Sequence, residues 1–310
     1  MNSLKTYLLL ILSFVVVAEQ GCRSKSALDG RGMPSHQILA VSTAGDNTGT
    51  IQSAFAPLKT YLEKKLNMGV EIIYTNDYTS VIEAIKAKKV HVAYLAPFSY
   101  VLASRTTEIS PLVVVGENGR PSLYHCAIIT GSTTGLQNMD EVKARAKDLT
   151  FCFADPASTS GHLIPRAYLN SIGLDPDHAF RQVLFAGNHQ SSVLSVASHK
   201  VDLGCAALEY GIEVMVRKGM VRPDQIHILW KSDAIVSSPV VARNDLNRDF
   251  VSKIRNAYMD MGKEAPDVLM AYLKLFRLNP EKLSYMPAED SMYNGIRKIA
   301  GSIPDLSIVK

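Results

Sequence analysis

Two hydrophobic periods take turns along the chain. Residues 37–42 form a short apolar run of strand type. After a loop at 45–49, Phe55, Leu58, Leu62 and Leu66 recur at three- and four-residue spacing, which marks one face of a helix. Residues 70–74 predict a strand, Val81, Ile82 and Ile85 a second helix, and residues 90–95 a third strand that Pro97 interrupts. Residues 112–115 predict another, ended by Gly116 and the turn Gly119-Arg120-Pro121. The alternation then repeats. Strands are expected at 124–130, 149–154, 182–186 and 201–208, and helices at 138–146, 163–172 and 191–198. Two more strands come at 226–230 and 236–242, and from about Asn247 the pattern is mostly helical.

Strands separated by helices of this length predict an α/β fold with largely parallel sheets. A chain of 310 residues exceeds the usual single core. Two lobes are therefore expected, residues 36–121 with 237–310 forming lobe 1 and residues 122–236 lobe 2. Ligands in such folds bind beyond the carboxyl ends of the strands. The residues just after each strand are the ones to read for chemistry.

The first residues add an address. Lys5 precedes an apolar run at 7–18, and Gly21-Cys22 comes next. A charged start and about a dozen apolar residues have the layout of an export signal. The run is shorter than the roughly 20 residues that span a bilayer. No later stretch reaches that length, so the mature chain is expected not to cross a membrane. Cys22 after Gly21 resembles the lipidation site of bacterial lipoproteins, which makes 1–21 a signal peptide and 22–35 a flexible tether. The expected location is the periplasm or cell surface, with a lipid on Cys22 holding the chain at a membrane. Glu19 stands where such signals usually carry an apolar residue, and the alternative is cleavage after Ala18 with Cys22 left as a thiol.

Charge and composition narrow the partners. The formal charge of +4 is spread along the chain, and Lys86-Ala87-Lys88-Lys89, the densest cluster, suits a solvated helix end. No nucleic-acid partner is expected. Mild basicity suits a small anion. Cys126, Cys152 and Cys205 lie in apolar, strand-like runs. They read as buried thiols, with a disulfide between two neighbouring strands as the alternative. The histidines show no ligand-like pairing, and the hydrolase, zinc-protease and nucleotide-loop motifs are missing. No metal, cofactor or catalytic role is expected, and the chain is expected to be monomeric.

The most informative segment is residues 149–165, LTFCFADPASTSGHLIP. An apolar strand ends at Asp155-Pro156, then Ser158, Thr159, Ser160 and Gly161 lead into a helix. Hydroxyl residues cap helices by accepting from free backbone N–H groups. The same N–H groups, with the helix dipole, can hold an anion. Gly161 permits close approach of the backbone. Pro165 is tolerated only in a first helical turn, which places the start near Thr159 to Leu163.

In this segment the chain resembles the phosphate/phosphite/phosphonate-binding proteins of ABC importers. The likeness runs from about Ile38 to Pro287. Similar too are Asn76-Asp77-Tyr78, residues 92–100 (VAYLAPFSY), Ala186-Gly187-Asn188-His189, Lys200-Val201-Asp202 and Leu229-Trp230-Lys231-Ser232. The resemblance implies a two-lobed, type II-like periplasmic-binding-protein fold, each lobe a mostly parallel sheet flanked by helices. It implies a small phosphorus oxyanion in the cleft and an ABC permease as partner. By the same resemblance, Ser158, Thr159, Ser160 and His189 grip the oxygens, and Tyr78 and Tyr124 line the cleft. An acidic pair meets the ligand's amino group. Glu209 matches the first acid, while Ser238 stands at the position of the second. Tyr94 is a further cleft candidate, with core packing as its alternative. His189, if charged, favours a dianion.

Two other classes stay in view. One is a sensing lipoprotein of the same fold without a transport role. The other is a hydrolase using Ser158 or Ser160 with His189 as base. For a binder, the lobes are expected to close by hinging at 119–124 and 232–238.

Overall fold

The computed structural model describes residues 27–35, 38–44, 48–274, 282–303 and 306. The expected export signal, Cys22 and the start of the expected tether lie outside them. Lobe 1 begins β1 (Ile38–Ala44), α1 (Thr48–Leu66), β2 (Gly69–Thr75), α2 (Tyr78–Lys86), β3 (Val92–Tyr94), α3 (Pro97–Ser104) and β4 (Ile109–Glu117). The chain leaves through β5 (Arg120–Pro121) and β6 (Leu123–Tyr124). It builds the second lobe from β7 (Cys126–Gly131), α4 (Met139–Arg145), β8 (Thr150–Phe153), α5 (Ile164–Ser171), α6 (Pro176–Ala179) and β9 (Gln182–Phe185). That lobe ends with α7 (His189–Ala197), β10 (Leu203–Ala207), α8 (Glu213–Arg217) and β11 (Ile226–Lys231). The return runs through β12 (Ile235–Val236) into β13 (Pro239–Arg243), α9 (Arg248–Glu264), α10 (Pro266–Leu273), β14 (Leu283–Pro287) and α11 (Asn294–Gly301).

Both sheets share one plan. The first contains the order β2-β1-β3-β13-β4, extended by β14 and β5, and the second is β9-β8-β10-β7-β11. In each, four of these five strands run one way, and the strand newly arrived from the other lobe runs against them. The expected largely parallel sheets are therefore mixed. A chain entering from the crossing starts at the cleft end of the sheet and runs away from it, while its neighbours end there. At the crossing itself β6 and β12 pair as a two-stranded ribbon, Tyr124 opposite Ile235.

Packing explains which residues reach the cleft. In β3, Val92 and Tyr94 join the lobe 1 core with Phe55, Leu58, Tyr258 and Tyr285. Ala93 and Leu95 point the other way, into a cluster shared by both lobes. That shared cluster joins Val81, Ile82 and Phe98 of lobe 1 to Tyr124, Ala157, Leu163 and Ala207 of lobe 2. The second sheet has a core on each face. Among the described residues no helix is long and apolar enough to cross a membrane.

Three expectations change. The run at 124–130 is split: Tyr124 belongs to the ribbon and Cys126 onward to the sheet, with His125 between. The C-terminal part is not only helical, because Leu283 and Tyr285 place β14 on the lobe 1 core with Ser284 turned out. Residues 27–35 are not a free tether. Asp29 accepts from the N–H groups of Arg31 and Met33, and the Gly32 carbonyl accepts from Asn247 N–H at 2.9 Å. Leu28 and Met33 pack on the lobe 1 core.

Candidate functional site

The site is built on the turn after β8. Asp155 shapes it. Its Oδ1 accepts from the Ala157 N–H at 2.7 Å, and its carbonyl accepts from the Ser158 N–H at 2.9 Å. Ser158 is the cap of the next turn, its Oγ accepting from the Gly161 N–H at 3.0 Å. Thr159–Leu163 form that turn, a wide, π-type one continuous with α5. The sequence reason is Pro165, which has no N–H to give the Gly161 carbonyl four residues back. That carbonyl accepts instead from the Ala154 N–H at 2.8 Å and the Cys205 thiol at 3.3 Å. The turn is thereby pinned to β8 and β10. Wide turns of this kind recur at functional sites. Pro165 stands in the first turn of α5, as expected, and the wide turn at Thr159–Leu163 precedes it.

The other lobe supplies the opposite wall. The Phe98 N–H, at the start of α3, donates to Thr159 Oγ1 at 2.8 Å, and Ser99 Oγ donates to the Ala157 carbonyl at 2.8 Å. The Tyr78 N–H, at the start of α2, donates to Asp155 Oδ2 at 3.3 Å. The lobes are closed on each other at this turn.

His189 opens α7 behind the Asn188 cap, and its ring is buried. A Cβ on Gly161 would sit 3.0 Å from His189 Cε1, so the imidazole lies directly against the turn. Its Nδ1 accepts from the Ala207 N–H in a long bond of 3.4 Å. The ring proton then belongs on Nε2. Burial lowers the imidazole from its ordinary 6.5 to about 4. The side chain is neutral at physiological pH with Nε2–H available as a donor, so the charged form that would favour a dianion does not arise here. Tyr124 is fully buried, and its hydroxyl hydrogen-bonds with the side chains of Tyr210, Ser160 and Thr159. Burial pushes it to about 12, so it keeps its proton. The Tyr78 ring meets His189 edge-on at 6.2 Å.

The family is decided by the chain as a whole. A family model described as an ABC transporter, phosphonate, periplasmic substrate-binding protein matches residues 43–293. The chain belongs to this family. A curated relative, the phosphate-import protein PhnD of Mycolicibacterium smegmatis, is 26% identical over 300 residues, covering 93% of this chain and 92% of its own. Two solved structures share the fold. One is the binding-protein component of an ABC phosphonate transporter from Pseudomonas aeruginosa, with a TM-score of 0.76, 22% identity and 85% of each chain covered. The other is PhnD1 of Prochlorococcus marinus in complex with methylphosphonate, with a TM-score of 0.73 and 20% identity over 86% of this chain and 97% of that one. The chain is therefore a two-lobed periplasmic binding protein of the ABC-transporter class.

Not every expected residue meets at the turn. Ser158, Thr159, Ser160, His189, Tyr78 and Tyr124 converge there. Tyr94 does not. Its ring lies among Phe55, Tyr258 and Tyr272, and its hydroxyl is 3.4 Å from that of Tyr285. Two-residue alternation in β3 turns it into the core, the packing alternative. Glu209 comes after β10 beside Tyr210, but both its oxygens are engaged. Oε1 is 2.6 Å from His125 Nδ1, and Oε2 accepts from the His125 N–H at 2.8 Å. Ser238 is half-buried in the link between β12 and β13. The sequence pattern gave no sign of His125, and Phe98 and Ser99 stood unremarked inside the segment 92–100. Cys126, Cys152 and Cys205 are all buried and unbridged, as thiols acting as small hydrophobes.

Asp155 and His189 give the fold a testable response to pH. Burial raises the Asp155 carboxyl from 3.8 to about 6, the opposite sense to His189. Between pH 6.5 and 4 the unfolded chain protonates His189 while the folded protein resists, so acid costs stability. Over nearly the same window folded Asp155 takes a proton that the unfolded chain lacks, so acid returns stability. In Asp155→Asn the second effect is gone. Urea unfolding at pH 7 and pH 4 should show the variant losing about 2 kcal/mol more than wild type. Superimposable losses would mean that Asp155 stays ionised.

Proposed function

We propose that the protein captures a small phosphorus oxyanion (a phosphonate, phosphite or phosphate) in the cleft between its lobes and hands it to an ABC permease. One observation supports the reading: the hydroxyl and imidazole acceptors of the turn are already engaged by backbone N–H groups. Ser158 Oγ and Thr159 Oγ1 accept from backbone N–H groups, and His189 Nδ1 does the same. The two hydroxyls and the Nε2–H therefore meet a ligand as donors. Backbone N–H groups at the head of the turn add to them. Hydrogen bonds to a charged group contribute about 1.5–3 kcal/mol each. Four of them support roughly micromolar binding after ordering costs. The turn itself carries no cationic side chain.

In this reading Ser158, Thr159, Ser160 and His189 hold the oxyanion, with Tyr78 and Tyr124 as walls. Lobe 1 is 36–121 with 237–310, lobe 2 is 122–236, and the ribbon of β6 and β12 marks the hinge. The reading has no catalytic step, because a base at His189 would need an unprotonated nitrogen facing a serine. Its Nδ1 faces the Ala207 N–H instead. A lipid on Cys22 would keep the monomer beside its permease.

Titration calorimetry with phosphite, methylphosphonate, phosphate, sulfate and acetate tests this. At least one phosphorus oxyanion should bind at about micromolar Kd, and acetate should not. Silence from every phosphorus oxyanion up to about millimolar, or steady turnover of a phosphoester that His189→Ala abolishes, would overturn it.

A further inference from the structure

A residue hidden within an apolar run makes a contact that the proposed capture of the oxyanion does not use. His125 lies between the ribbon strand β6 and the sheet strand β7, one residue past Tyr124. Glu209 lies one residue before Tyr210. The rings of Tyr124 and Tyr210 are 4.7 Å apart, and Tyr124 hydrogen-bonds to Ser160 and Thr159. The His125–Glu209 pair is therefore one residue along each segment from the two rings that border the oxyanion turn. It is a tight, two-point contact, with Nδ1 at 2.6 Å from Oε1 and the backbone N–H at 2.8 Å from Oε2. The Leu208 N–H donates to the His125 carbonyl at 2.8 Å and fixes the two segments side by side. Both side chains are about three-quarters covered, with 27% and 24% exposure. Lys231 and Arg217 act on the neighbouring Glu213 and balance the charge further out.

An uncommitted carboxylate here would do two things. It would attract a ligand with a cationic substituent, and it would repel a second negative charge on the oxyanion. His125 weakens both by engaging each oxygen once and fixing the carboxylate toward itself. We infer that His125 is a positioning residue that sets the substituent class: by holding Glu209, it selects phosphorus oxyanions whose substituent is absent or uncharged over those bearing an ammonium group. The inference rests on the proposed function and names the ligand class within it.

The test compares ethylphosphonate with 2-aminoethylphosphonate, a size-matched pair differing in the ammonium group. Calorimetric Kd values are taken for wild type, His125→Ala and His125→Gln. Wild type should prefer ethylphosphonate by about tenfold or more, and His125→Ala should bring the ratio to about one or invert it. His125→Gln, which keeps a side-chain donor for Glu209, should stay near the wild-type ratio. A merely structural role for His125 would weaken both ligands alike and leave the ratio in place, which overturns the inference. So does a wild-type protein that binds the amino ligand as well as the other, and that measurement stands even where His125→Ala fails to fold. Absence of binding for every phosphorus oxyanion would instead sink the proposed function, so the two failures are distinct.

Discussion

Replacing Thr159 with valine should weaken oxyanion binding by about a hundredfold or more while leaving the fold nearly as stable. The hydroxyl has two duties in the closed protein. Its oxygen accepts from the Phe98 N–H across the lobes at 2.8 Å, and in the proposed reading its proton is a donor for the ligand. Valine keeps the shape and removes both. A buried N–H left without an acceptor costs about 1–3 kcal/mol, and a lost bond to a charged ligand about 1.5–3 kcal/mol. Both losses fall on the closed, liganded state. In an open protein the Phe98 N–H can turn to water, so thermal unfolding without ligand should change little. Thr159→Ser, which keeps the hydroxyl, should bind within a few-fold of wild type. Calorimetric Kd values for the two variants separate this role from simple packing: equal losses in serine and valine would assign the effect to the methyl group.

A second large effect is expected at Gly161. A Cβ there would lie 2.4 Å from Ala154 Cβ and 3.0 Å from both His189 Cε1 and Ser158 Oγ. Those neighbours are the strand end, the imidazole and the capping hydroxyl, so relief of the clash must move the site. Gly161→Ala should lower unfolding free energy by about 1–3 kcal/mol and remove measurable binding. The matched control is Gly295→Ala in α11, where nothing lies within 4 Å. That change should be neutral or stabilising by up to about 1 kcal/mol. Similar results at the two positions would mean that the turn tolerates a side chain and that its tight fit is not what holds the donors in place.

Much of this fold was legible because its periods are clean. Phe55, Leu58 and Leu62 all reach the lobe 1 core, and the strand after α7 falls where its apolar run lies. The antiparallel entry of β7 and β13 was not legible, because a hydrophobic pattern carries no strand direction. It comes from where the chain re-enters each lobe. The turn at 158–161 was legible as a cap, since Ser, Thr and Gly at a strand end suit the start of a helix. Its π-type widening was not, although Pro165 carried the signal: a helix that starts before a proline must find another donor for a carbonyl. Tyr94 and Tyr124 looked alike in sequence. Two-residue alternation from the buried Val92 separates them, placing Tyr94 in the core. His125 was hidden inside a run that read as one continuous strand. Only the break between β6 and β7 shows that it bridges to Glu209.

The most direct measurement is a crystal structure of the protein grown with methylphosphonate. The phosphonate oxygens should lie within about 3.2 Å of Ser158 Oγ, Ser160 Oγ and His189 Nε2. Methylphosphonate seated elsewhere, or oxygens facing Glu209 with the Ser158–Gly161 turn unengaged, would contradict the assignment of that turn as the site of capture.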